Sequence, residues 1–323
     1  MATKNAAPSH LPILEHRLNA VQRLRRSNLG WGLLLVSPWI LGFLAFTLYP
    51  MAASLYYSLT NFDMIQKPHW VGLANYGAML HDSTFWLSVW NTGYMIIIGV
   101  PLSLVFGLGL AVLANQKIRG QGLYRTLFFL PSVVPAVAAA LLFLWVLNPQ
   151  YGMINEVLGF FHIPGPGWLV SMHWAKPGLL LMILWGVGSN MVIFLAGLNG
   201  VPTQMYEAAR IDGATAWITF WKMTLPNLSG VILYNVVTGV IGMSQIFTQA
   251  FVIAGSNGSI TLGTPDNATL LYNLYLYEKA FQDLDFGYAS AMAWVLTIVT
   301  MGLTLAMFVV YDRVIGLEGG TQS

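Results

Sequence analysis

Between Trp86 and Ala114 the chain reads Trp-Leu-Ser-Val-Trp-Asn-Thr-Gly-Tyr-Met-Ile-Ile-Ile-Gly-Val-Pro-Leu-Ser-Leu-Val-Phe-Gly-Leu-Gly-Leu-Ala-Val-Leu-Ala, without one Asp, Glu, Lys or Arg. An ionised side chain at the centre of a membrane helix costs roughly 2.5 to 3.5 kcal/mol, so a charge-free run of this length is what lipid selects. About 20 apolar residues cross ~30 Å of hydrocarbon as a helix, and this run is long enough. Lipid offers backbone amides and carbonyls no partners, and the run does not alternate as a barrel strand would. It therefore predicts a transmembrane helix.

Five more long stretches of the chain are equally free of charge: Arg26 to Asp63, Arg125 to Glu156, Lys176 to Glu207, Lys222 to Asp266 and Asp285 to Asp312. The predicted spans are Leu29–Met51, Trp86–Ala114, Leu127–Leu147, Gly178–Leu198, Leu228–Ala254 and Tyr288–Tyr311. The fold class is thus all-α, a polytopic membrane protein with six transmembrane helices. Only 8% of the 323 residues are charged and 56% are hydrophobic, whereas a soluble domain carries about a quarter charged residues. Without cysteine there is no disulfide, thiol nucleophile or Cys-based metal site. The six histidines lie in loops or the tail with no H-x-x-x-H pair, so no metal site and no catalytic residue are expected.

Charge bias orients the chain. With the N-terminus cytoplasmic, 11 of the 14 basic residues, Lys117 and Arg125 among them, fall inside. Lys67, Lys176 and Lys279 fall outside, as the positive-inside bias requires. The first apolar run is longer than a signal core and is read as a retained anchor. Residues 1–28 form a basic cytoplasmic arm, in which Val21–Arg26 is either an orientation signal or a surface helix on anionic lipid. Residues 29–312 form the membrane domain and 313–323 a cytoplasmic tail. Among the outer loops, Leu270–Phe281 is rich in Tyr and Leu and predicts an amphipathic helix at the interface. Its aromatics are either membrane anchors or contacts for an external partner.

One cytoplasmic loop stands apart by its length. Thr203 is a potential helix cap, Met205–Ile211 has good helix formers, Gly213 permits a sharp stop, and Thr215 can start a second short helix. Trp217, Phe220 and Trp221 give that helix an aromatic face, and Pro226 ends it. The loop 203–226 is therefore a two-helix knob with Glu207, Arg210 and Asp212 around its bend. It either packs under its own bundle or grips a partner.

The pattern Glu207-Ala208-Ala209, three residues, Gly213, nine residues, Met223, then Leu225-Pro226 resembles the EAA motif of ABC importer permeases. Met223 replaces the usual isoleucine, a volume-conserving change. Ser58-Leu59-Thr60-Asn61-Phe62, Val71-Gly72-Leu73-Ala74-Asn75-Tyr76, Asn148-Pro149-Gln150-Tyr151-Gly152 and Phe286-Gly287-Tyr288-Ala289-Ser290-Ala291 are similar to the carbohydrate-uptake branch. The likeness is greatest to the MalF/UgpA-like permeases. It implies the type I ABC importer permease fold in a prokaryotic inner membrane, with both termini cytoplasmic. The implied partners are a second related permease, two nucleotide-binding ATPase subunits, an extracytoplasmic solute-binding protein and lipid, with no nucleic acid. It also implies that Glu207, Ala208, Ala209, Asp212 and Gly213 couple to the ATPase. The chain contains no Gly-Lys and hence no Walker A, so ATP and Mg belong to a partner and no cofactor to this chain.

The membrane gaps hold no ionisable residue away from their fringes, which disfavours proton- or sodium-coupled transport and suits a neutral, hydroxyl-rich solute. Tyr234, Thr238, Gly242, Gln245 and Gln249 share one face of the fifth helix; Trp185, Gly186, Ser189 and Asn190 cluster on the fourth. Each set either lines a substrate path or packs against neighbouring helices. By resemblance, Trp185, Gly186 and Ser189 fall where sugar permeases contact substrate. The expected function is import of an oligosaccharide, disaccharide or polyol-like glycoside. The alternatives are a glycerol-phosphate-type solute, or an ATP-independent channel or secondary carrier. Pro131 and Pro135 predict a kink in the third helix.

Overall fold

The computed structural model describes residues 31–116, 118–256 and 262–319. The expected arm 1–28 with its Val21–Arg26 helix, Lys117, part of the third outer loop (257–261) and the extreme C-terminus (320–323) lie outside the described residues. The chain divides into two compact units, Met1–Tyr57 and Ser58–Ser323.

In the first unit, helix α1 (Trp31–Ser58) runs further than the expected Leu29–Met51. Trp39 stacks on Phe43 at 5.6 Å, and Trp31, Leu35 and Phe46 are exposed, as lipid permits. Its ladder widens to a π turn at Leu44–Leu48, two residues before Pro50. Proline lacks an N–H, and its ring clashes with the carbonyl four residues back; a wider turn accommodates both. The same device recurs at Met95–Gly99 before Pro101 and at Phe220–Thr224 before Pro226.

The second unit contains α2 (Ala74–His81) and α3 (Ser83–Ala114), then the bent pair α4 (Gln121–Val133) and α5 (Ala136–Val146), and α6 (Met153–Phe160). A second bent pair follows, α7 (Ala175–Trp185) and α8 (Gly188–Gly200), then α9 (Thr203–Ile211) and the helical run 216–227, α10. The chain closes with α11 (Ser229–Ser244), α12 (Thr248–Ser256), α13 (Tyr272–Tyr277) and α14 (Phe286–Gly319). Among the described residues the sole β pairing is an isolated bridge between Thr60 and Trp70.

Three of the six spans differ from expectation in kind. The third is no kinked helix: its halves meet at 97°, because Val134 and Pro135 leave the helix altogether. The fourth bends by 50° at Gly186–Val187. The fifth, Ser229–Gly255 as a span, loses its helix at Gln245–Phe247. The last helix continues to Gly319, so most of the expected tail is helical.

Helix α3 is the axis of the core. A methyl group built at Gly99 would stand 3.0 Å from Leu180 of α7 and 3.0 Å from Met243 of α11. One built at Gly107 would stand 3.0 Å from Asn190 of α8. Small residues let backbones approach where lipid supplies no hydrophobic drive between helices, so close packing must hold them. A second cluster joins Ala111, Met191, Phe194 and Leu198 to Leu228. At Gly188 the approach is to backbone: a Cβ there would collide with the Phe128 carbonyl and stand 2.9 Å from the Phe129 Cα.

The outer segment expected to lie at the interface packs its first half inward and leaves Phe281 exposed. Tyr272, Leu274 and Tyr275 of α13 are buried in the chain's own core. Phe85 packs edge-on against Tyr272, whose hydroxyl donates to the Met292 carbonyl at 2.7 Å. Asn91 donates to the carbonyls of Asn267 (2.9 Å) and Leu270 (3.0 Å), seating the loop on α3. Asp82 ties this cap together. One carboxylate oxygen caps α3 through the Thr84 N–H at 2.8 Å; the other accepts from Tyr275 (2.5 Å) and Tyr288 (2.7 Å). Burial pushes this carboxyl up, but the two phenols and the amides of Phe85 and Thr84 outweigh it and hold it below the ordinary carboxylate value.

Two outcomes are expected. Gly188→Ala must displace the Phe128–Phe129 backbone and should cost about 1–3 kcal/mol, read as a fall in thermal midpoint in detergent. Gly186→Ala, whose Cβ would meet nothing nearer than 3.5 Å, should leave that midpoint almost unmoved. Asp82, with its folded value depressed, contributes stability above the ordinary 3.8 and loses it as pH falls through the lower folded value. Thermal scans should show the wild type weakening in that acid range. Asp82→Asn should be less stable at neutral pH and lack this component of the acid loss.

Candidate functional site

The loop after α8 folds as two helices at a sharp turn. Val201 is extended and Pro202 occupies the cap position, so Thr203 begins the helix and does not cap it. Helix α9 ends at Gly213, whose φ of +75° is the left-handed conformation that glycine adopts without a Cβ penalty. The Gly213 N–H donates to the Arg210 carbonyl (3.1 Å) and the Ala214 N–H to the Ala209 carbonyl (2.9 Å), the paired bonds of a Schellman turn. A Cβ on Gly213 would meet nothing within 4 Å, so the residue is required for its backbone angle and not for space. Thr215 caps α10 by accepting from the Ile218 N–H at 3.4 Å.

Between the two helices of the knob, the Tyr206 hydroxyl meets the buried Thr224 hydroxyl at 3.2 Å. No sequence signal marks that pair, because eighteen residues separate its members. Nor does Pro226 end α10: the π turn absorbs it, and the helix runs on to Asn227. The knob is thereby joined almost without interruption to α11.

Glu207, Ala208, Asp212 and Gly213 are exposed, whereas Ala209 is 2% exposed and packs inward. Ala209 thus shapes the turn through its carbonyl. Neither Glu207, Arg210 nor Asp212 has an ion-pair partner among the described residues. Around them stand apolar tips, with Ile211 86% and Trp217 71% exposed, and Trp217 set edge-on to Trp221 at 5.5 Å. Unpaired acids beside exposed Trp and Ile on a rigid turn make a surface suited to a protein partner. On the same side of the molecule, Gln121 (3.0 Å) and Arg125 (3.1 Å) both donate to the Ala114 carbonyl and close the end of α3.

The membrane candidates fall into two places. Trp185 closes α7, with its ring edge-on to Phe143 at 5.6 Å, and Gly186 forms the bend that follows. Ser189 is exposed just beyond it, while Asn190 packs on Gly107. Along the fifth span, Tyr234, Thr238 and Gly242 of α11 and Gln245 just past its end are exposed, and Gln249 of α12 is half-buried. The Thr238 hydroxyl donates to the Tyr234 carbonyl of its own helix at 2.8 Å. This stripe therefore looks away from the chain's own core. The helix break at Gln245–Phe247 sets Gln249 off the regular register that the sequence implied. Lys176, at the first turn of α7, lies over the Tyr94 ring at 5.3 Å, a contact that sequence spacing does not reveal.

A family model for binding-protein-dependent transport system inner membrane components matches residues 99–315. The chain is 40% identical over 288 residues to a probable ABC transporter permease, YesP, of Bacillus subtilis (strain 168), covering 88% of this chain and 91% of that one. It is 35% identical to the lactose transport system permease LacF of Rhizobium radiobacter, over 86% and 92% of the two chains. To the sulfoquinovosyl glycerol transport system permease SmoG of Agrobacterium fabrum it is 33% identical, over 87% and 89%. Among solved structures, a chain of a bacterial ABC transporter involved in import of the acidic polysaccharide alginate superposes with a TM-score of 0.71 at 22% identity. That match covers 91% of this chain and 99% of that chain, and it carries the fold alone. The helix architecture, the family match over 99–315 and these relatives agree: the chain belongs to the binding-protein-dependent transport system inner membrane components, the permeases of ABC transporters.

Proposed function

We propose that this chain is one permease of an ATP-driven sugar importer and that its 203–226 knob is the handle of the ATPase. The observation that carries the reading is the knob itself, a hydrogen-bonded turn presenting unpaired Glu207 and Asp212 with Ile211 and Trp217. Glu207 offers a carboxylate to basic groups of the ATPase, and Ala208 and Gly213 leave room for close approach. In this reading a second, related permease faces the α11 stripe, two nucleotide-binding subunits hold ATP and Mg, and a solute-binding protein delivers the substrate from outside. Both termini are then cytoplasmic.

Coupling has a short mechanical route. Helix α8 leads through Val201–Pro202 into the knob, and α10 leads from it into α11. A Cβ on Gly197 of α8 would stand 2.9 Å from Leu228 and Val231, so these two helices are packed together just above the knob. A displacement of the knob therefore reaches the Gly186 bend through α8 and the Tyr234–Gly242 face through α11. Trp185, Gly186, Ser189 and Asn190, with Tyr234, Thr238, Gly242, Gln245 and Gln249, are the proposed lining of the path. Aromatic faces, hydroxyls and amides suit a solute recognised by many hydroxyl groups. Relatives named for lactose and for sulfoquinovosyl glycerol support a sugar or glycoside.

Reconstitution of the complete importer in vesicles tests the class. Uptake should require ATP and the ATPase subunits, and uptake persisting without them would establish a channel or secondary carrier in its place. Gly213→Pro removes an N–H donor and imposes a negative φ, so it should abolish co-purification of the ATPase subunit while membrane insertion is retained. Gly213→Ala, at a cost of about 1–2 kcal/mol for the left-handed backbone, should weaken association without abolishing it. Glu207→Ala should lower ATP-dependent uptake about tenfold or more, as loss of a charge-assisted contact would.

A further inference from the structure

Helix α6 (Met153–Phe160) belongs to the loop between the third and fourth spans, on the side of the membrane opposite the knob. At about 100° per residue, Ile154 and Leu158 share one side of it, Asn155 and Gly159 a second, and Met153, Val157 and Phe160 a third. Two of these sides are held by the chain. Ile154 and Leu158 pack on the core cluster that contains Leu147, Leu169 and Leu179. The Asn155 amide donates to the carbonyls of Pro149 (3.2 Å) and Pro166 (3.1 Å), and its oxygen accepts from the Trp168 indole N–H at 2.8 Å. A Cβ on Gly165 would collide with that amide, so the loop closes tightly over the second side and fixes the rotation of the helix. The third side is left uncovered: Phe160 is 79% exposed, and Met153, Val157 and the adjoining Phe161 are exposed with it.

The level of α6 indicates what covers that side. Leu147 directly follows α5, and Leu169 would stand 2.8 Å from a Cβ on Gly178 near the start of α7, so the helix rests against the ends of two spans. Exposed aromatic residues mark the same level: Trp145 in the last turn of α5, Tyr151 just before α6 and Trp174 just before α7. Trp and Tyr collect where hydrocarbon meets headgroups. Leu141 and Trp145 of α5 line one cleft with Tyr151 and Val170, so the exposed surface of the span continues into this loop. The uncovered side itself holds no polar group; the acid of α6, Glu156, stands at its border towards Gly159. A docking surface for a separable protein carries a polar rim and hydrogen-bonding groups, whereas an apolar helix edge without basic residues suits acyl chains and needs no anionic headgroup.

We infer that α6 is an interfacial anchor whose Met153–Val157–Phe160 edge, with Phe161, inserts among the upper acyl chains of the leaflet opposite the knob. Helix α5, the half-span beyond the 97° break, has 11 residues. It therefore covers only about 16 Å, and α6 tethers its far end to the membrane surface. This lipid contact is independent of which solute is carried.

The test uses the importer purified through this chain, with its binding protein, in phosphatidylcholine nanodiscs. The chain contains no cysteine, so with partner cysteines replaced a nitroxide can be attached at one position at a time. Labels at Val157→Cys and Phe160→Cys should collide with dissolved oxygen but not with an aqueous nickel chelate, at a depth of about 5–10 Å below the phosphates. A label at Gly159→Cys, where a Cβ meets nothing within 4 Å, should remain open to nickel. Because a nitroxide is itself apolar, the unsubstituted importer is also photolabelled with phosphatidylcholine bearing a diazirine near the top of its acyl chain. Adducts mapped by mass spectrometry should fall on 153–161, as well as on the exposed Leu305 and Phe308 of α14. Nickel access at Val157 and Phe160, or adducts on α14 without any on α6, overturns the proposal. Shielding from both oxygen and nickel assigns the edge to the second permease, and shielding from nickel only while the binding protein is docked assigns it to that protein; either outcome overturns it as well.

Discussion

In hydrocarbon a backbone amide has no water to turn to, so each helix must satisfy its own ladder or bury the failure inside protein. This chain places prolines inside its spans, and its architecture follows from how each loss is absorbed. Upstream of Pro50, Pro101 and Pro226 the ladder widens into a π turn and the helix continues. At Pro135 it does not continue, and the span turns through 97°. At that break Val134 is extended, the conformation that a following proline favours. The Phe128–Phe129 backbone, just before it, is covered by α8, which approaches so closely at Gly188 that no side chain fits between them.

The same constraint explains why the molecule looks inside-out. Apolar side chains such as Trp31, Phe46 and Leu305 are exposed, while Asn91, Thr92, Ser103 and Asn235 are buried. Lipid rewards the first set and penalises the second unless partners are found. Asn91 and Thr92 find theirs in the outer loop, which is why that loop is fastened to α3. Helices are held by close approach at Gly99 and Gly107 more than by burial of oil from water.

Much of the candidate coupling site was legible before the fold. Gly213 followed by Thr215 announced a stop and a restart, and the chain builds a Schellman turn and a threonine cap there. Backbone angles and caps are local, so a local pattern encodes them. The inward packing of Ala209 and the Tyr206–Thr224 contact were not legible, because each depends on how the two helices close on one another. The outer aromatic segment was misread for the same reason. Tyr275 looks like an interface anchor until Asp82, about two hundred residues earlier, receives its hydroxyl together with that of Tyr288.

The sequence by itself determined that the chain spans a membrane, where its long apolar runs lie, and that a bent knob follows the fourth. Charge-free length, proline, glycine and threonine act through desolvation cost and backbone angles, which need no neighbour. Only the tertiary structure decided which spans break and by how much, which face of α11 looks outward, and that Lys176 rests on Tyr94 without a carboxylate. Those outcomes are set by contacts between segments far apart in the chain, and no periodicity along a single segment contains them.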